Sequence, residues 1–185
     1  MKNLLIIKAH QTYPIAKGEL NSLMASDIEN FFKLHDYTVK KTEVAFGYDV
    51  KQEQAKFLWA DIIVFQFPVF WFTAPALLHQ YIQDIYEYGI FYTSSKEYGK
   101  GGLLKGKQYM FSTTWGASEE AFRGGLWTDC HKPDDVLLPL HKTQEYIGLS
   151  ALPTFACLNV VQSDNPEKYR KSLQEHLKAI IKQQE

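Results

Sequence analysis

The chain has 185 residues, a formal net charge of -1 at pH 7, 45% hydrophobic residues and two cysteines, Cys130 and Cys157. That length suits one domain, 1–185, with a real core. The balanced charge argues against nucleic acid or an anionic membrane as the main partner, and two cysteines outside any CxxC make no disulfide framework.

Leu4 to Ile7 form a short continuous apolar run, the pattern of a strand buried on both faces. The run is too short for a signal core and is followed at once by Lys8; no other stretch is long and apolar enough to span a bilayer, so a cytoplasmic protein is expected. A polar loop follows. Then Leu20, Leu23, Met24, Ile28, Phe31 and Phe32 recur at helical spacing from a start near Gly18 or Glu19. A helix that starts at the carboxyl end of the first strand offers free N–H groups to a phosphate. His10, Thr12, Lys17 and Asn21 are suitable donors around it. The loop matches neither the Walker pattern nor GxGxxG, and on residue type alone a hydrogen-bonded histidine, a solvated lysine and a capping asparagine account for it better, because any βα loop is polar.

Tyr37 to Val44 alternate as a lysine-guarded edge strand, and Val50 to Trp59 read as a short helix. Ile62 to Phe67, after Asp61, are a second buried strand rich in β-branched and aromatic residues, ended by Pro68. Val69, Phe70, Trp71 and Phe72 then stand in a turn whose N–H groups are expected to be free of the ladder, before a helix that starts with Pro75 in its first turn. Large aromatics on a loop at the carboxyl end of a parallel strand suit a planar aromatic cofactor. A turn packed under a neighbouring loop suits them as well.

Ala76 to Tyr88 read as a helix closed by Gly89, and Phe91 to Leu104, with three glycines, as a mobile surface loop. Lys107 to Thr113 are the fourth strand. It runs into Thr113, Thr114, Trp115 and Gly116, which can lay backbone and hydroxyl groups along a ring edge. Glu119 to Leu140 lack a period and read as an irregular excursion over the pocket or toward a second subunit. Pro139 to Ile147 are expected to be helical, Pro153 to Val161 form the fifth strand, and Asp164 or Asn165 caps a last helix with Pro166 in its first turn. Strands alternating with helices call for a three-layer α/β sandwich around a five-stranded parallel sheet, order 2-1-3-4-5. His79, Cys130, His131 and His141 form no spacing known for zinc, so no metal is expected.

The segment from Gln66 to Leu78 closely resembles the flavin-binding segment of the flavodoxin-like NAD(P)H:quinone oxidoreductases. Thr113-Thr114-Trp115-Gly116 is similar to that family's Thr-Thr-Gly-Gly loop, with Trp115 at the first glycine, and Ala9-His10 matches too. Gly18-Glu19-Leu20-Asn21, Tyr48-Asp49-Val50, Phe57 to Asp61, Glu120-Ala121-Phe122 and Leu152 to Phe155 resemble the bacterial "modulator of drug activity B" subgroup. The resemblance implies a flavodoxin-like fold, bound FAD with FMN as the other option, a homodimer with its active site at the subunit interface, and two-electron reduction of quinones by NAD(P)H in a ping-pong scheme. It places Gly18, Leu20 and Asn21 at the pyrophosphate or ribityl chain. Pro68, Val69, Phe70, Trp71 and Phe72 fall on the isoalloxazine, and Thr114, Trp115 and Gly116 along its far edge. No acid or base residue is assigned, because the flavin carries the chemistry. The rival role within the superfamily is an ancillary, redox-sensing subunit of a potassium-efflux system. A one-electron carrier fits the balanced charge less well.

Overall fold

Strand side chains alternate between two faces, and here both faces are covered. The computed structural model describes residues 2–14, 16–127, 129–163 and 165–183. Strands β1 (Asn3–Lys8), β2 (Thr38–Glu43), β3 (Ile62–Pro68), β4 (Gln108–Thr114), β5 (Ser150–Ala151) and β6 (Phe155–Cys157) form one parallel sheet, order β2-β1-β3-β4-β5, with β6 also on β4. The fifth strand expected over Pro153 to Val161 is found only at β6, and the sheet position beside β4 is shared with β5, an earlier piece that the sequence reading did not foresee. Leu152 N–H still donates to Tyr109 O at 2.7 Å between them, but Pro153 has no N–H with which to continue.

Helices α1 (Glu19–Leu34) and α6 (Pro166–Lys182) cover one face, where Leu4, Ile6, Ile62, Val64 and Met110 meet Met24, Ile28 and Leu173. Helices α2 (Val50–Trp59), α3 (Ala76–Ile85) and α5 (Leu138–Tyr146) cover the other, over Leu5, Ile7, Phe65 and Phe111; the short α4 (Pro133–Val136) leads into α5. Asn165 caps α6 by accepting from Lys168 N–H, and Asp164 lies outside the described residues. Among the described residues no helix is long and apolar enough to cross a membrane.

Three details differ from the sequence reading. Pro75 is the N-cap of α3, with an extended ψ of 149°, so the helix starts one residue later. That helix ends at Ile85, well before Gly89. Residues 91–104 are a docked arm: Phe91 and Leu104 are buried, Thr93 N–H donates to Gly101 O, and Leu103 N–H donates to Phe91 O. Gly101 and Gly102 serve close approach between backbones. A Cβ on Gly102 would stand 2.3 Å from Gly148 N. Gly102→Ala is therefore expected to cost about 1–3 kcal/mol through forced backbone displacement, measured as a lower denaturation midpoint; an unchanged midpoint would show that the arm is loosely held.

Candidate functional site

Where strands β1, β3 and β4 end, each chain makes one more hydrogen bond to its neighbour. Ala9 N–H donates to Gln66 O, Val69 N–H to Thr114 O and Trp115 N–H to Cys157 O, at 2.9, 2.9 and 2.8 Å. The three loops that follow therefore leave the sheet side by side, at the carboxyl end where ligands of such sheets bind.

The first loop delivers His10 and Gly18. Gly18 is the N-cap of α1 in the left-handed region (φ 77°) and makes no side-chain cap. The first N–H groups of a helix have no acceptor within it, and Ser22 N–H is the first to close on Gly18 O. This open end carries partial positive charge suited to a phosphate. The imidazole of His10 lies directly against Gly18; a Cβ there would come within 1.9 Å of its Cε1. His10 is buried, and its Nε2 is 3.3 Å from Ala16 O. Burial lowers its pKa; the Ala16 carbonyl opposes this and the Lys8 charge adds to it. Thr12 and Lys17 are exposed on the same loop, and Leu20 is half-buried. Asn21 is buried and accepts from Gln66 Nε2 at 2.8 Å.

Below that end lies a polar cluster the sequence reading missed. Gln66 and Ser112 are register partners on β3 and β4, and both are fully buried. Asn21 Nδ2, Gln66 Oε1 and Ser112 Oγ have no hydrogen-bond partner. Unsatisfied buried groups are costly and call for a polar guest. The signal was present in the chain: Gln66 interrupts an otherwise apolar strand.

The second loop is a tight turn. Phe70 N–H donates to Thr73 O and Thr73 N–H to Phe70 O, while Trp71 and Phe72 sit at φ 50° and 66°. Two successive left-handed residues make a type I′ turn, which favours Asn and Gly, and two aromatics there cost about 1–2 kcal/mol each. The expectation of free N–H groups is corrected in part. Those of Val69 and Phe70 are committed, whereas those of Trp71 and Phe72 have no partner among the described residues. Pro68 is buried within β3. Trp71 is 90% exposed. Phe72 points elsewhere, its ring edge-on to Trp127 at 5.1 Å.

The third loop holds fewer open groups than expected. Trp115 is 2% exposed, and its Nε1–H donates to Thr113 Oγ1, which itself donates to Phe155 O. With the Trp115 N–H also committed, this residue is a buried pillar of the loop. Thr114 is buried and Gly116 is exposed, with room for a Cβ limited only by Val161 at 3.4 Å. A cleft of about 780 Å³ opens between the first two loops, lined by Tyr13, Ala16, Phe70, Trp71 and His79 among others. Of these, sequence reasoning selected only Phe70 and Trp71. His79 is held by Thr73, its Nε2 3.1 Å from the hydroxyl oxygen.

A second polar chain lies away from the strand tips. Tyr109 OH is 2.7 Å from His141 Nδ1, and His141 Nε2 is 3.0 Å from Asp134 Oδ1. The hydrogen bond to His141 holds the Asp134 carboxyl down from 3.8 to about 2. A depressed carboxylate stabilises the fold above its unfolded value and loses that contribution as pH falls through about 2. Wild-type stability should therefore drop between pH 4 and 2 by about 1 kcal/mol more than that of Asp134→Asn, after allowance for solvent screening at this half-open position. Parallel acid titrations of the two proteins would refute the link. Among the described residues, no three of His, Cys, Asp and Glu are arranged to hold a metal.

These residues fit a flavin nucleotide: an uncapped helix start for phosphate, an orphaned Asn21 amide beside it, two free N–H groups on a strained aromatic turn, and an exposed glycine opposite. Comparisons with known proteins give the fold and the family. The profile of the family described as having a flavodoxin-like fold matches residues 2–183. The NADPH:quinone oxidoreductase MdaB of Haemophilus influenzae is 33% identical over 97% of this chain and 99% of its own. The glutathione-regulated potassium-efflux system ancillary protein KefF of an Enterobacter species is 32% identical over 83% of this chain and 81% of its own. The crystal structure of general stress protein 14 from Treponema denticola, in complex with FMN, superposes with a TM-score of 0.71 at 24% identity, over 96% of each chain. By profile, by full-length relative and by fold, the chain belongs to the flavodoxin-like family that includes the NADPH:quinone oxidoreductase of H. influenzae.

Proposed function

We propose that this protein binds a flavin at the carboxyl end of the sheet and uses it to reduce quinones with NAD(P)H. The observation that carries the reading is the turn at Trp71 and Phe72. It holds two left-handed aromatics, of which Phe72 packs on Trp127 while the Trp71 indole stands in solvent beside two free N–H groups, a cost that packing of Trp71 does not return. A bound flavin supplies hydride acceptance and donation. The chain's own part is positional. The α1 start and Asn21 would hold the phosphate, Trp71 would pack on the ring and exclude water from it, and the Trp71 and Phe72 N–H groups would orient it. Gly116 admits close approach of backbone on the far side. FAD is the proposed form rather than FMN, because the apolar cleft at Tyr13 and Phe70 offers aromatic surface for an adenine. The nicotinamide and the quinone would take the same open ring face in turn, which gives ping-pong kinetics. We place the protein in the cytoplasm as a homodimer.

The test is the absorption spectrum of the purified protein, then release and identification of its cofactor. A yellow protein yielding FAD, with parallel double-reciprocal lines for NADPH and a quinone, is the expected result. A colourless protein that takes up neither FAD nor FMN would end the reading. The similarity to KefF supports a second one, an ancillary subunit of a potassium-efflux system. Co-purification with a transporter, together with slow turnover of free quinone, would favour it.

A further inference from the structure

We propose that Trp127 is a positioning residue for the aromatic turn: it holds Phe72, and through Phe72 it sets where Trp71 and the two free N–H groups stand. This rests on the reading that the turn receives the cofactor ring.

A turn with φ 50° and 66° at two aromatic residues does not hold its shape on local preference. Its internal support is the pair of hydrogen bonds between Phe70 and Thr73. The remaining support comes from outside, and it can be followed from the sheet. Trp115 is bound through its backbone N–H to Cys157 and through its indole to Thr113. Trp127 stands perpendicular to Trp115 at 6.1 Å and stacks on Phe122 at 4.9 Å. Its own N–H donates to Ala121 O at 3.2 Å. Phe72 then meets Trp127 edge-to-face at 5.1 Å and 89°. On the other flank Tyr13 meets Phe70 edge-on at 5.6 Å. Both neighbours of Trp71 are therefore clamped while Trp71 itself is not. The irregular excursion after β4 thus reaches back to shape the loop after β3.

The role predicts coupling, which ordinary packing does not. The wild type, Trp127→Ala, Phe72→Ala and the double variant would be compared in two ways. One is amide hydrogen exchange at Phe70 and Thr73 in cofactor-free protein. The other is the FAD dissociation constant from fluorescence titration. Each single variant should speed exchange and weaken FAD by about tenfold, the scale of one edge-to-face aromatic pair. The double variant should be no worse than the weaker single, and Trp127→Phe should restore most of the loss. If Trp127→Ala does not fold, Trp127→Leu keeps the apolar volume without the edge-to-face geometry and takes its place in the cycle. Additive effects, or unchanged exchange in the Trp127 variant, would overturn the role. The exchange measurement needs no cofactor, so a wild type that takes up no flavin would instead sink the reading of the site.

Discussion

Replacing Trp71 by glycine is expected to make the cofactor-free protein slightly more stable and the cofactor-bound protein much weaker. Trp71 is 90% exposed at φ 50°. Its side chain buries little area in the chain itself, so its removal loses little. Relief of the left-handed strain returns about 1–2 kcal/mol, and the extra freedom of glycine when unfolded takes back about 0.5–1. The net gain should appear as a melting temperature higher by a few degrees, since about 1 kcal/mol moves a domain of this size by about 2–4 °C. The same change deletes the indole proposed to cover the ring. Stacking on an aromatic side chain is worth about 1–3 kcal/mol per base, so flavin affinity should fall by about tenfold or more. Thermal melts of the stripped protein and fluorescence titration with FAD read the two effects separately. A variant that keeps native affinity would show that the indole does not touch the ring.

Gly18→Ala is expected to damage both fold and site. Its φ of 77° penalises any Cβ, and that Cβ would fall 1.9 Å from His10 Cε1. The left-handed penalty is about 1–2 kcal/mol and the overpacking about 1–3, so a loss of about 2–5 kcal/mol is expected. His10 must leave its place against α1, which disturbs the helix start that would receive phosphate; FAD uptake should fall at least tenfold. The two causes separate in a second variant. Gly18→Ala combined with His10→Ala removes the collision but keeps the strain, so it should recover about half of the lost stability. No recovery would show that the collision is relieved by a ring rotation and that strain alone matters.

What the chain reveals on its own follows from the range of the forces involved. Leu4 to Ile7 and Ile62 to Phe65 are apolar on both faces, and the stripe from Leu20 to Phe32 has helical period, so strands, helix and sheet order were legible. So was the location of the turn, because prolines bracket it. The directions of Trp71 and Phe72 were not. They are neighbours of like chemistry, and Trp127, which lies far along the chain and has no periodic context, gives Phe72 a ring partner and leaves Trp71 in solvent. Trp115 at a glycine position suggested an open ring edge. Its burial depends on a local bond from its own indole to Thr113 and on β6 beyond. The partnership of Asn21 with Gln66 spans 45 residues and appears only once α1 lies over β3. The glycines of the 91–104 arm suggested mobility because composition cannot distinguish a glycine that loosens a loop from one that lets two backbones touch.

The successive hydrogen bonds from Ala9, Val69 and Trp115 have a consequence for how such a protein changes over time. Each loop is pinned at its first residue to the next strand across, before any of its variable part begins. Whatever lies between that pin and the following helix can be lengthened, shortened or rewritten while the strand tips stay fixed. The exposed Thr12 and Lys17 occupy such an interval, and the exposed Arg123 and Lys132 another, whereas Tyr13 and Trp127 within the same intervals are tied to the aromatic turn. The rim of the sheet thus works as a set of exchangeable inserts on a constant mount, which lets one scaffold acquire new acceptors without rebuilding its core.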